Sequence, residues 1–293
     1  MNLLIAARPP FSLTSVVNSH GWIQLAPFLG DDPGPGFSYI DRLSSGRVIE
    51  FQVKEAPGGV EVTTASALTP AETEELSARA VWMLGLEQDL SPFYQMARAE
   101  PKLAQMETRA QGRVLRSSTL FEDVVKTILT TNTQWGGTKR MNSTLIDLYG
   151  EPLAENPARH AFPTPRALAA LDVETLRTQG RLGYRAPYVL ELARSVDSGA
   201  LDLEALKTTP LPTPELRKRL LSIKGVGGYA AANLTMLLGR YDEIPVDSWA
   251  MKMVSQEWHG GGPASPADVQ AAFAHWGEWK GLAYWFWNWD NPG

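Results

Sequence analysis

The sequence predicts a mainly α-helical (α+β) chain in which a small antiparallel β-sheet unit precedes the helices. Three observations carry that prediction. Residues 11–66 hold short runs of strand-forming residues broken by turn signals, as hairpin-linked strands do. From about Asp89 onward apolar residues recur at helical spacing and no good strand pattern is present. Within that helical part, residues 214–254 set a glycine turn between two helical patterns. With 293 residues, 44% of them hydrophobic, the chain can bury two or three packed units.

Phe37 to Ile40, Val48 to Val53 and Val60 to Thr64 read as strands, and Ile49, Phe51 and Val53 alternate cleanly enough to bury one face. Ser44-Ser45-Gly46 and Pro57-Gly58-Gly59 supply the turns. Thr69-Pro70-Ala71-Glu72 is a capping box with proline at the first helical position, and Leu76, Ala80, Met83 and Leu84 share a face of the helix it opens. A sheet with a helix against it is the expected product. The expected domain division is therefore 1–88 and 89–293. Thr119 to Glu122 caps a second helix, with Phe121, Val124, Val125, Ile128 and Leu129 on one face. It runs into a polar end, Thr130 to Trp135, bounded by Gly136-Gly137. Thr164-Pro165 starts another helix, and Arg181-Leu182-Gly183-Tyr184-Arg185-Ala186 follows. The run from His275 to Trp289 holds five of the ten tryptophans and reads as a terminal helix whose rings are mostly core.

Leu216, Leu220 and Ile223 lead into Ile223-Lys224-Gly225-Val226-Gly227, and Ala230, Ala231, Leu234, Leu237 and Leu238 lead away from it. Two glycines two residues apart make a turn whose backbone another molecule can approach closely. The turn opens a helix N-terminus, where unpaired N–H groups favour an anion, most naturally a nucleic-acid phosphate. Arg217, Lys218, Arg219 and Lys224 load the same stretch with positive charge, and Lys139-Arg140 and Arg181 with Arg185 mark two others. The net charge of −5 argues against nucleic acid, but phosphate binding requires local clustering rather than a basic total. Pro245-Val246-Asp247-Ser248-Trp249 opens a further helix with Asp247 at the cap position.

The hairpin Leu221-Ser222-Ile223-Lys224-Gly225-Val226-Gly227, followed about twenty residues on by Pro245-Val246-Asp247, resembles the helix-hairpin-helix (HhH-GPD) DNA glycosylase superfamily. The stretch from Pro10 to Phe28 and the strand-rich unit resemble the N-terminal domain of its alkylpurine and 8-oxoguanine branch. The resemblance implies a two-lobed helical fold behind the β domain and excision of a damaged base, alkylated or oxidised, from duplex DNA. It implies Asp247 as the catalytic carboxylate, and cap and catalyst are compatible roles. It places Gly225, Val226, Gly227 and Lys224 on the DNA backbone, Asn132 in the gap left by the extruded nucleotide, Tyr184 as a wedge and Arg185 on the base left opposite. Backbone carbonyls of Leu221, Ile223 and Val226 match positions that hold a monovalent cation, Na⁺ or K⁺. A base pocket needs flat π faces, and Tyr229, Tyr284 and Trp285 are its candidates. In 8-oxoguanine glycosylases a Gln and a Phe of the final helix hold the lesion; Tyr284 and Asn288 stand there instead, which favours an alkylated purine. Where relatives with lyase activity carry a nucleophilic lysine, this chain has Tyr229, which cannot form a Schiff base. The expectation is a monofunctional glycosylase; the alternatives are a bifunctional glycosylase/lyase of endonuclease III type and a non-catalytic hairpin protein that only binds DNA.

Zero cysteines exclude disulfides, thiolate nucleophiles and a cysteine-ligated iron–sulfur cluster. The four histidines have no zinc-like spacing. No apolar run approaches a membrane span, and the N-terminus lacks the basic segment and cleavage site of a signal peptide. A monomeric, cytoplasmic, nucleoid-associated protein without a required cofactor or membrane partner is expected.

Overall fold

The computed structural model describes residues 1–31 and 34–288. The strands are β1 (Asn2–Ala6), β2 (Phe28–Gly30), β3 (Phe37–Arg42), β4 (Val48–Ala56), β5 (Gly59–Thr63), β6 (Pro152–Leu153) and β7 (Asn156–His160). The helices up to the glycine turn are α1 (Leu13–Val17), α2 (Pro70–Leu84), α3 (Ser91–Ala97), α4 (Leu120–Thr130), α5 (Trp135–Tyr149), α6 (Pro165–Ala169), α7 (Val173–Thr178), α8 (Ala186–Asp197) and α9 (Thr213–Leu221). Beyond it come α10 (Gly228–Leu237), α11 (Ser248–Trp258), α12 (Pro266–Ala272) and α13 (Lys280–Phe286). The chain is thus mainly helical with an antiparallel sheet near its start.

Two compact units form, one from residues 1–89 with 108–207 and the other from 90–107 with 208–293. This division departs from the expected boundary at residue 88, and the reason is chemical. Helix α4 carries Glu122, Asp123, Lys126 and Thr127 among its apolar residues, and all four are buried along with them. A one-sided helix was the expectation; the structure buries α4 all round and brings Tyr39 and Trp22 of the same unit to its carboxylates, while Asp123 Oδ2 keeps no hydrogen-bond partner among the described residues. Tyr39 donates to Glu122 Oε2 at 2.6 Å and Trp22 Nε1 to Asp123 Oδ1 at 2.8 Å. Lys126 Nζ lies 2.6 Å from Glu122 Oε1. The sheet is therefore welded to α4 by groups that are costly to leave unpaired away from water.

In the first unit the sheet runs β1-β5-β4-β3-β2, all antiparallel. Phe51 opposite Tyr39 and Val53 opposite Phe37 fill the buried face. The capping box forms as expected, with Thr69 accepting from Glu72 N and Glu72 accepting from Thr69 N. Arg113, 1% exposed, spends its guanidinium on the carbonyls of Arg8, Pro10, Gly85 and Gln88, tying the segment after β1 to the turn after α2. Against the expectation of no strand beyond Asp89, β6 and β7 form a two-stranded ribbon. Leu153 and Ala161 pack on Ile40, and Arg159 pairs with Glu50, so the ribbon is held by the sheet rather than by its own residues. Gly136-Gly137, expected as a boundary, lies inside the first turn of α5.

The second unit is all helical among its described residues. Phe93 of α3 packs 5.8 Å from the Trp276 ring and 5.7 Å from Trp279. Trp276 and Trp287 are buried, as expected of most of that run, while Trp279 and Trp285 are half-buried. Trp289 lies outside the described residues. Gly281 donates to Tyr241 O at 2.6 Å, and a Cβ there would fall 2.2 Å from the Glu243 carbonyl oxygen. Only glycine lets α13 approach the segment that leads into Asp247 this closely.

Candidate functional site

The second unit holds the hairpin and the aspartate. Helix α9 ends at Leu221, Gly225 takes φ +87°, and the Val226 N–H closes the turn on the Ile223 carbonyl at 3.0 Å. That φ is why glycine stands at 225. Gly227 is the N-cap of α10 and, having no side chain, cannot cap the first N–H groups of the helix. Lys218, Arg219 and Lys224 are exposed around it. Arg217 is half-buried, its guanidinium 3.7 Å from the place a Cβ would take on Gly228, and it pairs with Glu243 at 3.5 Å. The arrangement sets the backbone N–H groups of a helix N-terminus beside exposed cations, a combination that favours an anion.

Asp247 caps α11, accepting from Ala250 N at 2.8 Å, and is half-buried. One carboxylate oxygen, Oδ1, is thereby fixed. Two phenols share its field. Burial, and next Asp247, push Tyr229 above the ordinary phenol range. Burial, then Asp247 and Tyr229, push Tyr284 further. Both stay neutral hydroxyls beside the carboxylate. Trp285, one residue on, projects about 100° round α13 from Tyr284. Asn288 accepts from Lys102 Nζ at 3.3 Å, and Lys102 also pairs with Glu257.

The sequence reading did not single out Trp249. It stands two residues after Asp247, 43% exposed, with its ring edge-on to Tyr284 at 6.1 Å. An aromatic two residues after Asp247, in the first turn of the helix that Asp247 caps, was the available signal.

The first unit holds the other expected residues. Asn132 sits between α4 and α5 with φ +46°, a left-handed position that Asn tolerates better than most. Its Nδ2 donates to the Tyr184 hydroxyl at 3.3 Å. The Tyr184 hydroxyl donates to the Thr131 carbonyl at 3.2 Å, and its ring is 48% exposed. Arg185 is 6% exposed; its guanidinium donates to the same Thr131 carbonyl, with Cζ 4.4 Å from the centre of the Tyr184 ring. Asn132 and Tyr184 are thus side by side at the surface, and Arg185 lies inside the turn.

Residues 125–278 match the model of the HhH-GPD superfamily of base excision DNA repair proteins. A DNA-3-methyladenine glycosylase of Bacillus subtilis is 27% identical over 165 residues, covering 55% of this chain and 54% of its own length. The chain spans about half the length of the curated relatives it matches. The solved 3-methyladenine DNA-glycosylase from Archaeoglobus fulgidus covers 100% of this chain and 98% of its own, with a TM-score of 0.76 and 19% identity. A Clostridium acetobutylicum 8-oxoguanine glycosylase/lyase, solved with double-stranded DNA containing cytosine opposite 8-oxoguanine, covers 96% and 92% with a TM-score of 0.73 and 20% identity. At these identities the two structures share the fold with this chain.

Proposed function

We propose that this chain, which belongs to the HhH-GPD superfamily of base excision DNA repair proteins, is a monofunctional DNA glycosylase that hydrolyses the glycosidic bond of a damaged base extruded from duplex DNA. The observation that carries the proposal is Asp247: a half-buried carboxylate fixed through one oxygen to Ala250 N, with two neutral phenols in its field and a hairpin anion site in the same unit. Cleavage at C1′ develops positive charge on the sugar, so a fixed anion beside it stabilises the transition state and costs no reorganisation. The same carboxylate can orient the attacking water. The base is first drawn out of the stack, and Asn132 and Tyr184, paired at the surface, fill the space it leaves.

Tyr229, Tyr284 and Trp249 offer π faces next to an anion, and a base that carries positive charge gains from both. An alkylated purine suits this site better than a neutral oxidised one. Tyr229 stands where a lyase would need an amine, which supports hydrolysis alone. A Na⁺ or K⁺ ion at the hairpin would be held by the carbonyls of Leu221, Ile223 and Val226. The tight turn at Gly225 suits this, and Ile223 O gives one lone pair to Val226 N–H and keeps another. Such an ion would add positive charge for a phosphate. The protein acts as a monomer in the cytoplasm, at the nucleoid.

Asp247→Asn tests the reading. Asparagine keeps the cap, so stability changes by about 1 kcal/mol or less. Loss of the charge lowers single-turnover base release by roughly 10²–10³-fold or more, while duplex binding persists. The assay uses duplexes that each carry one lesion, N3-methyladenine, N7-methylguanine or 8-oxoguanine among them. Near-normal release by the variant would reduce Asp247 to a cap. Wild-type silence on every lesion would favour a protein that only binds DNA.

A further inference from the structure

We infer that Arg185 is a positioning residue that locks Asn132, Thr131 and Tyr184 into one preformed wedge, and that the protein is consequently indifferent to the base opposite its target. The inference rests on the proposed glycosylase reading and concerns the specificity of that site. An arginine that reads a base edge needs two N–H groups free in one plane and a path to the groove. Arg185 has neither. It is 6% exposed, it donates to the Thr131 carbonyl, and its other terminal nitrogen faces Met141 Sδ at 3.8 Å. The Tyr184 ring covers it at 4.4 Å. To reach a base it would have to leave the carbonyl, uncover a buried cation site and displace the ring.

What the guanidinium does where it lies is visible in the bonds around it. The Thr131 carbonyl accepts from both Arg185 and the Tyr184 hydroxyl, and Thr131 Oγ1 lies 3.3 Å from that hydroxyl. Asn132 donates to the hydroxyl in turn, from a left-handed backbone that the Thr131 contacts hold in place. The two exposed side chains are therefore coupled through a carbonyl that Arg185 fixes. This wedge presents one phenol ring and one amide, and the amide already spends a donor on the phenol. It supplies volume and stacking, to which every base offers a face, and no fork of donors matched to one base.

The experiment is equilibrium binding, by fluorescence anisotropy at fixed salt, to duplexes holding a tetrahydrofuran abasic analogue opposite A, C, G or T. This readout needs no excision. The wild type should bind all of them within about threefold, whereas a bidentate base contact discriminates by roughly five- to 150-fold. Arg185→Met should weaken binding about tenfold and equally across the set, and should add almost nothing on a Tyr184→Ala background, since it acts through that ring. Arg185→Lys keeps a donor for Thr131 and a cation under the ring, and should recover to within about threefold of wild type. Should Arg185→Met melt at the assay temperature, Tyr184→Phe, which removes only the hydroxyl, takes its place with the same uniform loss expected. A wild-type preference of about tenfold or more for one opposite base, erased by Arg185→Met, would overturn the inference by making Arg185 a reader. Unchanged binding in both variants would overturn it too. Failure to bind any of the duplexes would instead remove the glycosylase reading beneath it.

Discussion

Lys126→Met isolates the buried ion pair within α4, whose carboxylate also accepts from Tyr39 of β3. Lys126 is fully buried, with Nζ 2.6 Å from Glu122 Oε1, 3.3 Å from Ser117 Oγ and 5.0 Å from the centre of the Phe28 ring. Methionine fills nearly the same volume, so the packing loss is small. What remains is a buried carboxylate whose cation is gone and whose other oxygen still accepts from Tyr39. Breaking such a pair costs about 3–5 kcal/mol, and at roughly 2–4 °C per kcal/mol the unit should melt about 6–20 °C lower near neutral pH. Burial already raises Glu122 above its ordinary value of 4.5, with Lys126 opposing the rise, so removing the lysine raises it further. The folded state then holds a proton that the unfolded state releases. Stability of the variant relative to wild type is therefore least impaired near 4.5, and the deficit grows as pH rises from there through the folded value. The double variant Lys126→Met/Glu122→Gln, which removes both charges and keeps an acceptor for Tyr39, should recover most of the loss. The assay is differential scanning fluorimetry from pH 4.5 to 8. A pH-independent loss under about 3 °C, or a double variant no more stable than the single one, would refute the reasoning.

Three further outcomes test other parts of the molecule. Wild-type protein incubated with substrate duplex and borohydride should give no covalent adduct and leave an abasic strand that breaks only in alkali, while Tyr229→Lys should give weak trapping; a robust wild-type adduct would assign the chemistry to another lysine. Gly281→Ala drives a methyl group into the carbonyls of Glu243 and Tyr241, so it should cost about 1–3 kcal/mol of stability and lower base release more than duplex affinity; equal effects on both would mean that the segment before Asp247 is not displaced. Burial pushes the His20 imidazole down to about 4 from 6.5. Its folded pKa is depressed, so its contribution is complete above 6.5 and is lost as pH falls toward 4; urea melts across that range should show a shallower acid-side decline in His20→Gln, and identical slopes would exclude it.

Where one face of an element is wet, the sequence was legible. Strands β4 and β5 and the capped helix α2 show themselves through alternation, turn residues and a local cap, all set by neighbours in the chain. Where tertiary partners decide, it was not. Strand β1 reads as a plain apolar start, yet it pairs along β5 with Leu4 76% exposed. The β6–β7 ribbon has prolines at 152 and 157 and exists because the sheet offers Ile40 and Glu50 to it. Helix α4 shows an apolar stripe, but Glu122, Asp123, Lys126 and Thr127 are buried beside it. Nothing local could reveal that Trp22, Tyr39 and Ser117, far away in sequence or before the helix, would reach Asp123, Glu122 and Lys126. The two compact units differ from the expected division for the same reason, since a boundary at residue 88 separates β3 from the helix that completes it.

The two parts of the site differ in the same way. The hairpin and Asp247 are legible because each solves a local backbone problem: Gly225 takes a φ that other residues avoid, and Asp247 satisfies the N–H of a residue three positions on. A spacing motif can survive only where such local solutions recur. The aromatic surroundings are another matter. Tyr229, Trp249 and Tyr284 come from three helices, α10, α11 and α13, and meet through the close approach at Gly281 rather than through any period in the sequence. Residue type alone nominated Tyr229 and Tyr284, and it overlooked Trp249 because a tryptophan in an amphipathic helix reads as core. For Arg185, residue type did not reveal its burial at 6% exposure. An arginine beside an exposed tyrosine suggests a charge reaching outward, but guanidinium is weakly hydrated and satisfies carbonyls well, so it can be the part that a surface ring stands on. Which of these an arginine does is decided by whether a carbonyl lies within its reach, and Thr131, more than fifty residues earlier in the chain, supplies one.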